Sequence, residues 1–406
     1  MSEIGASVAR HRLARALAVW MLVGCDGAAH ETARPVETVE EAAFEPSVER
    51  GRELLVRFEC NRCHEGTGTG EPSLDRDCVG CHRAIQGGTF DAPAADLRRF
   101  RRALVSLNEA PSLAHLGGRL DRGWIEQFLL APHDVRPGLL ATMPRLRIDE
   151  HDAADLAAAL TDGADAAGIE PVVDADPGAG LALLDARGCA DCHAFGSARP
   201  ARGHGDIASE RLAPDLAHTR VRMTRAMIEA WLTDPQAVRP GTLMPTPRLT
   251  PDERAAIIDA ILAAPIARPD IPREERLPVL ERPVRFAEIQ ERILTRTCWH
   301  CHADPDFARG DGGPGNTGGF GFSPRGVNLL DYEGISSGYF DEAGERRSLF
   351  APDEDGTPHL IRVLSARREE EAGRASELRG MPLGLPALSR EDIQLVETWI
   401  AQGRPN

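Results

Sequence analysis

Apolar side chains return every three or four residues in two clear stretches. Thr250-Pro251-Asp252-Glu253 leads into Ile257, Ile258 and Ile261, and Ser389 leads into Ile393, Val396, Trp399 and Ile400. Both read as helices that bury a single stripe. The first carries a full start signal, with threonine as the cap, proline at the first helical position and glutamate where a capping box needs it. Met223 and Met227 lie four apart on another predicted helix beside Ile228 and Trp231, so they are read as core. Two stretches break the pattern. Residues 163–178, rich in Gly, Ala, Asp and Pro, are expected to form a flexible linker, and 265–283, with five prolines, a stiffer and extended one. Residues 26–46 are acidic and read as an unstructured tether.

One apolar run stands apart. Ala16-Leu17-Ala18-Val19-Trp20-Met21-Leu22-Val23 follows Arg10, Arg12 and Arg15 and is too short to span a bilayer, but it suits the core of an export signal. It ends in Leu22-Val23-Gly24-Cys25, which resembles the cleavage box of bacterial lipoproteins. That resemblance implies a lipid on Cys25, removal of residues 1–24, and a mature chain held on the periplasmic side of a bacterial membrane. Asp26 after the cysteine resembles the inner-membrane retention signal of enterobacterial lipoproteins.

At 406 residues the chain suggests two to four domains rather than one. With 42% apolar and 27% charged residues it has enough hydrophobes to bury cores. The net charge of −16 becomes −18 once residues 1–24, with three arginines and one glutamate, are gone. No polycationic face is available, so nucleic acid is excluded as a partner. All 47 basic residues are arginine, a bias to which no mechanism is attached. Aromatics amount to only 5%, which is thin for several cores. Something other than side chains is expected to help fill them.

The cysteines supply that something. Cys25 apart, all eight belong to Cys-x-x-Cys-His units: Cys60, Cys63 and His64; Cys78, Cys81 and His82; Cys189, Cys192 and His193; Cys298, Cys301 and His302. On a helix, positions i, i+3 and i+4 share a face, so two thiols and an imidazole meet a flat ligand from one side. This is the pattern of covalent haem c attachment, with thioethers from the thiols and the histidine as proximal iron ligand. A zinc ribbon across Cys60 to Cys81 is the first alternative, but the other two units have no second pair nearby. A redox dithiol is the second, and it would not recur four times. Four covalently bound haem c groups are therefore expected, each adding an apolar plate to a small core.

An internal repeat organises the first two thirds. Gly51, Leu54 and Leu55 match Gly180, Leu183 and Leu184 at an offset of 129, and Ala110-Pro111-x-Leu113-Ala114-His115 matches Ala213-Pro214-x-Leu216-Ala217-His218 at 103. The 26 extra residues of the first copy lie between His64 and Ala110, with the unit at Cys78. A haem-bearing insertion in a one-haem domain is the economical reading. Each copy then reaches Met-Pro, at Met143-Pro144 and Met244-Pro245. Both copies resemble class I cytochromes c, in which a helix leads into Cys-x-x-Cys-His, a Pro-rich loop delivers a methionine to the distal face, and a last helix closes the fold. The stretch from Arg325-Gly326-Val327-Asn328-Leu329-Leu330-Asp331-Tyr332-Glu333-Gly334 to Arg379-Gly380-Met381-Pro382 resembles the planctomycete-type cytochrome c domain. These resemblances imply Met143, Met244 and Met381 as distal ligands.

The expected fold is mostly α: a signal peptide at 1–24, a leader at 25–46, a dihaem domain at 47–162 and monohaem domains at 178–264 and 284–406. The haem at Cys78 and Cys81 has no methionine left to claim. His133, where the second copy has Gln236, is the candidate ligand, with His30, His151 and an open site as alternatives. His115 and His218 are read as structural or as propionate contacts, and His204, His300 and His359 as incidental. Histidine and methionine together saturate iron, so the expected function is electron relay between a membrane-bound donor and a periplasmic or membrane acceptor, through redox protein partners. The rival is a multihaem oxidoreductase acting on peroxide or a sulfur compound at the haem of Cys78.

Overall fold

Two glycines set the architecture of the first two thirds. Helix α1 (Val48–Arg57) starts at a Ser47 cap and crosses α5 (Glu150–Leu160), which starts at an Asp149 cap. At the crossing Gly51 lies directly on the Asp155 carbonyl, where an added Cβ would sit 2.0 Å from the oxygen. Helix α6 (Pro177–Ala186) crosses α10 (Pro251–Ala263) in the same way, with Gly180 on the Ala256 carbonyl and again 2.0 Å for an added Cβ. The repeated glycines are thus the condition for two close helix crossings. The structure, a computed structural model, describes residues 44–104, 109–137, 139, 143–164, 169, 177–196, 208–266, 272–303, 314–374 and 376–406. Cys25, the export signal, His30, His204 and most of the 163–178 linker lie outside them.

Helix forms 49% of the described residues and strand 3%, so the fold class is mostly α, as expected. The first core gathers Leu54, Leu55, Phe58, Leu116, Ile125, Leu129 and Leu156, largely from α1, α5 and α4 (Arg122–Leu130). Buried Asp155 accepts from the Ser47 backbone N–H at 2.6 Å and from Arg50 Nε at 2.7 Å, tying α5 to the start of α1. Between them run α2 (Cys78–Gly87) and α3 (Ala94–Ala103), held together by Arg101 Nε on the Ile85 carbonyl at 3.0 Å. The second core joins α6 and α10 to α8 (Arg225–Thr233), with the short α7 (Ala208–Leu212) and α9 (Pro235–Val238) at its edge. The capping box forms as expected: Glu253 N–H donates to Thr250 Oγ1 and Thr250 N–H to Glu253 Oε2. Ile257, Ile258, Ile261 and Met223 are all buried.

The third core is built differently. Where the repeats have glycine, fully buried Ile289 ends α11 (Phe286–Ile289), which continues as a π-helical segment, Gln290–Cys298. After α12 (Pro314–Thr317) and α13 (Tyr332–Ser337), a short antiparallel pair, β1 (Tyr339–Phe340) and β2 (Arg346–Arg347), precedes α14 (His359–Glu371) and α15 (Arg390–Ala401). Trp399 of α15 is completely buried among Phe286, Tyr332 and Phe350. The proline-rich segment is no free spacer. Residues 272–283 lie along this core, with Gln394 Nε2 donating to the Pro278 carbonyl at 2.6 Å and Leu280 N–H to Thr398 Oγ1 at 2.9 Å.

Glu45–Asn406 forms one compact unit, and short contacts join its cores. Asp121 N–H donates to the Arg222 carbonyl at 2.6 Å and Asp215 N–H to Val135 at 2.8 Å, joining first and second. Phe320 and Phe322, from the end of the glycine-rich stretch, pack on the first core, and Phe320 N–H donates to Glu59 Oε2 at 2.9 Å.

Candidate functional site

The units at Cys60 and Cys189 do not continue the helices before them, whereas Cys298 is the last residue of the π-helical segment. Glu59 (φ 51°) and Gly188 (φ 74°) adopt the left-handed conformation and end the preceding helices, so Cys60–Arg62 and Cys189–Asp191 form single 3-10 turns. The expected shared face survives within one turn. His64 N–H donates to the Cys60 carbonyl at 2.9 Å, His193 to Cys189 at 2.9 Å and His302 to Cys298 at 3.1 Å, which returns each histidine to the side of its first cysteine. Only the second unit opens a true helix: α2 starts at Cys78, capped by Asp77 Oδ1, which accepts from Gly80 N–H at 2.7 Å.

The repeat loops then fix the imidazoles. His64 Nδ1 lies 2.8 Å from the Pro111 carbonyl and His193 Nδ1 2.8 Å from the Pro214 carbonyl. A carbonyl can only accept, so Nδ1 carries the proton and Nε2 is left with the lone pair that a metal needs. Leu113 N–H to Glu65 and Leu216 N–H to Ala194, both 2.8 Å, hold the two loops identically. Burial pushes the pKa of both imidazoles below the usual histidine range, keeping them in the neutral form that ligates. In the third unit burial pushes His302 down to about 4. Its Nδ1 is buried, faces the carbonyls of Val327 and Gly315, and makes no well-aligned hydrogen bond. A Cβ at Gly315 would lie 2.2 Å from the His302 ring, so only glycine fits there.

The thiols sit in apolar surroundings. Burial pushes Cys60 and Cys298 up to about 12, Cys81 up to about 11, and Cys189 upward as well. Such thiols stay protonated and are poor thiolate ligands. Among the described residues no three His, Cys, Asp or Glu side chains converge as a chelated ion requires. Cys63 and Cys78 hydrogen-bond to each other, which raises Cys63 and, with Arg62 nearby, lowers Cys78. The first two units therefore touch at their thiols.

Each of the three larger cores contains the first cysteine of one unit and the methionine of one Met-Pro pair, the second core holding Met223 and Met227 as well. Cys60 shares the first core with Met143, Cys189 the second with Met244, and Cys298 the third with Met381. In comparisons with protein-family models, curated proteins and solved structures, nothing matched this chain. The donor sets themselves carry the chemistry. Two thiols and a neutral imidazole on one turn, with a thioether in the same apolar core, fit a haem held covalently on one side and ligated on both. The loops of two of these methionines are joined: Arg379 Nε donates to the Arg145 carbonyl at 2.6 Å, and Arg145 Nη1 to the Ser376 carbonyl at 2.9 Å.

The unit at Cys78 belongs to a small fourth core of Ile85, Phe100 and Trp299, with Cys81 packed against it and no methionine among its described members. Buried His82 has its ring centre 6.4 Å from that of His300. His133 is placed elsewhere. Its exposed ring lies 5.5 Å from Phe128 and 5.5 Å from His218, where the first two cores meet. His115 is exposed beside a 3-10 turn, His151 is exposed on the first turn of α5, and His359 bonds Asp353 at 3.1 Å. His300 was hidden from sequence reasoning because it lies inside another unit, between Cys298 and Cys301; the adjacent apolar Trp299 was the available signal.

Proposed function

We propose that the chain is a tetrahaem c-type cytochrome that relays electrons on the periplasmic side of a bacterial membrane, tethered through Cys25. The observation that carries it is that each of three cores gathers the first cysteine of one Cys-x-x-Cys-His unit and the methionine of one Met-Pro pair. On this reading the first two cores are class I-like domains and the third a planctomycete-type one. Bound haem supplies one-electron redox chemistry. The chain's residues do the rest. The cysteines would hold the group covalently, His64 and His193, aimed by the Pro111 and Pro214 carbonyls, would ligate its iron, and Met143, Met244 and Met381 would be the further ligands that keep water and substrate off it. The thiol contact of Cys63 with Cys78 and the Arg379 bridge between two methionine loops bring three of the four units together. That arrangement suits internal transfer.

Exposing the reduced protein to carbon monoxide and the oxidised protein to peroxide tests this reading. A relay reacts with neither at any iron; an iron that binds carbon monoxide and consumes peroxide would turn the reading into the oxidoreductase alternative. Changing Met143, Met244 or Met381 to alanine should remove about a third of the near-infrared sulfur-to-iron absorption each. Three unaffected spectra would refute the ligand assignment. Cys25→Ser should move the protein from the membrane fraction to the soluble periplasm; retention in the membrane would count against lipidation.

A further inference from the structure

Chain segments far apart in sequence meet at the unit of Cys78. Phe100 of α3 stacks on Trp299 with ring centres 6.2 Å apart and planes 15° from parallel, and Arg99 lies over both rings, at 5.2 Å and 5.7 Å. Trp299 is buried, whereas the next residue, His300, exposes its ring. The ring centres of His82 and His300 lie 6.4 Å apart, with planes 46° apart. An imidazole nitrogen binds a metal at about 2 Å, and the ring centre lies roughly 1 Å behind it, so two imidazoles on opposite sides of one iron place their centres about 6 to 6.5 Å apart. Their observed tilt is no obstacle, because each ring turns about its own metal–nitrogen axis.

Resting on the haem reading above, we propose that His300 is the second axial ligand of the iron held by Cys78, Cys81 and His82. The ligand comes from the unit of Cys298, not from the core that surrounds the insertion, and Phe100 on Trp299 sets its approach. His300 also stands between the two cysteines that hold the neighbouring haem. One tripeptide, Trp299-His300-Cys301, therefore joins an iron ligand of one group to a covalent attachment of another. This gives the odd haem two imidazoles and no thioether ligand, hence a lower potential than the three paired with methionine.

The test uses the haem-loaded full chain. In the ferric wild type all four irons should be low spin, one with a bis-imidazole signature. His300→Ala should turn one iron of the four to high spin, added imidazole should restore it, and His133→Ala should change nothing. His300→Met, which keeps a ligand should the alanine variant fold poorly, should stay low spin and gain sulfur-to-iron absorption. Four low-spin irons in His300→Ala, or a high-spin iron already in the wild type, would overturn the assignment. Mass spectrometry separates the two levels: four bound haems with an unmoved spin state reject His300 alone, whereas a chain without haem rejects the reading on which it rests.

Discussion

Replacing Cys189 and Cys192 together by serine will leave a protein with three haems and a second core that no longer unfolds cooperatively. That core consists of Leu184, Phe195, Met223, Ile228, Leu232 and the isoleucines of α10, with Met244, Leu216 and Cys189 packed around it. Phe195 is its only fully buried aromatic among the described residues. A porphyrin that buries a few hundred Å² of apolar surface contributes several kcal/mol at about 25 cal/mol/Å². This is comparable with the ~5–15 kcal/mol that a whole domain has to lose. On the haem reading, the loss of ligation by His193 and Met244 would add to it. Calorimetry should show one transition weakened and shifted down while the others persist. Four haems in the variant, or an unchanged trace, would contradict the role given to this unit.

Gly180→Ala should destabilise the same core by about 1–3 kcal/mol, as overpacking in a close crossing does. Alanine is worth up to about 1 kcal/mol over glycine in a helix interior, which opposes the change. The steric term wins because the obstruction, 2.0 Å from the new Cβ, is the Ala256 carbonyl of α10, with the Ala260 methyl at 2.6 Å. Backbone cannot rotate away as a long side chain can, so α6 and α10 must separate. Gly51→Ala meets the Asp155 carbonyl at the same distance and should behave alike. Gly87, at the end of α2 with nothing within 4 Å, is the control: alanine there should be neutral or mildly stabilising. Equal melting temperatures for Gly180→Ala and Gly87→Ala would refute the account of the repeated glycines.

What could be read in the sequence was local or repeated. The capping box at Thr250, the stripe of α10 and the start of α15 at Ser389 depend on neighbours three or four residues away, and period and cap chemistry express them directly. The glycines at 51 and 180 were visible as a repeat, although their reason, a helix crossing on a carbonyl, was not. Three features lay beyond such signals. The Cys-x-x-Cys-His units at 60 and 189 close a single turn instead of extending a helix, because a left-handed residue precedes each, and at Glu59 nothing in the residue type announces it. Phe320 and Phe322 look like part of a glycine-rich loop, yet they complete a core more than 250 residues earlier in the chain, where Phe320 bonds Glu59. His300 meets His82 only because α3 docks on Trp299. Long-range docking has no periodicity, so it leaves no trace in the spacing of apolar residues.

The central claim is that eight thiols hold four haems covalently, and mass spectrometry of the denatured full chain tests it most directly. The account predicts the mass of the processed, lipidated chain plus four haem masses, with the colour staying in the protein through acid–acetone extraction. A chain mass with free thiols, or haem that leaves with the solvent, would contradict it.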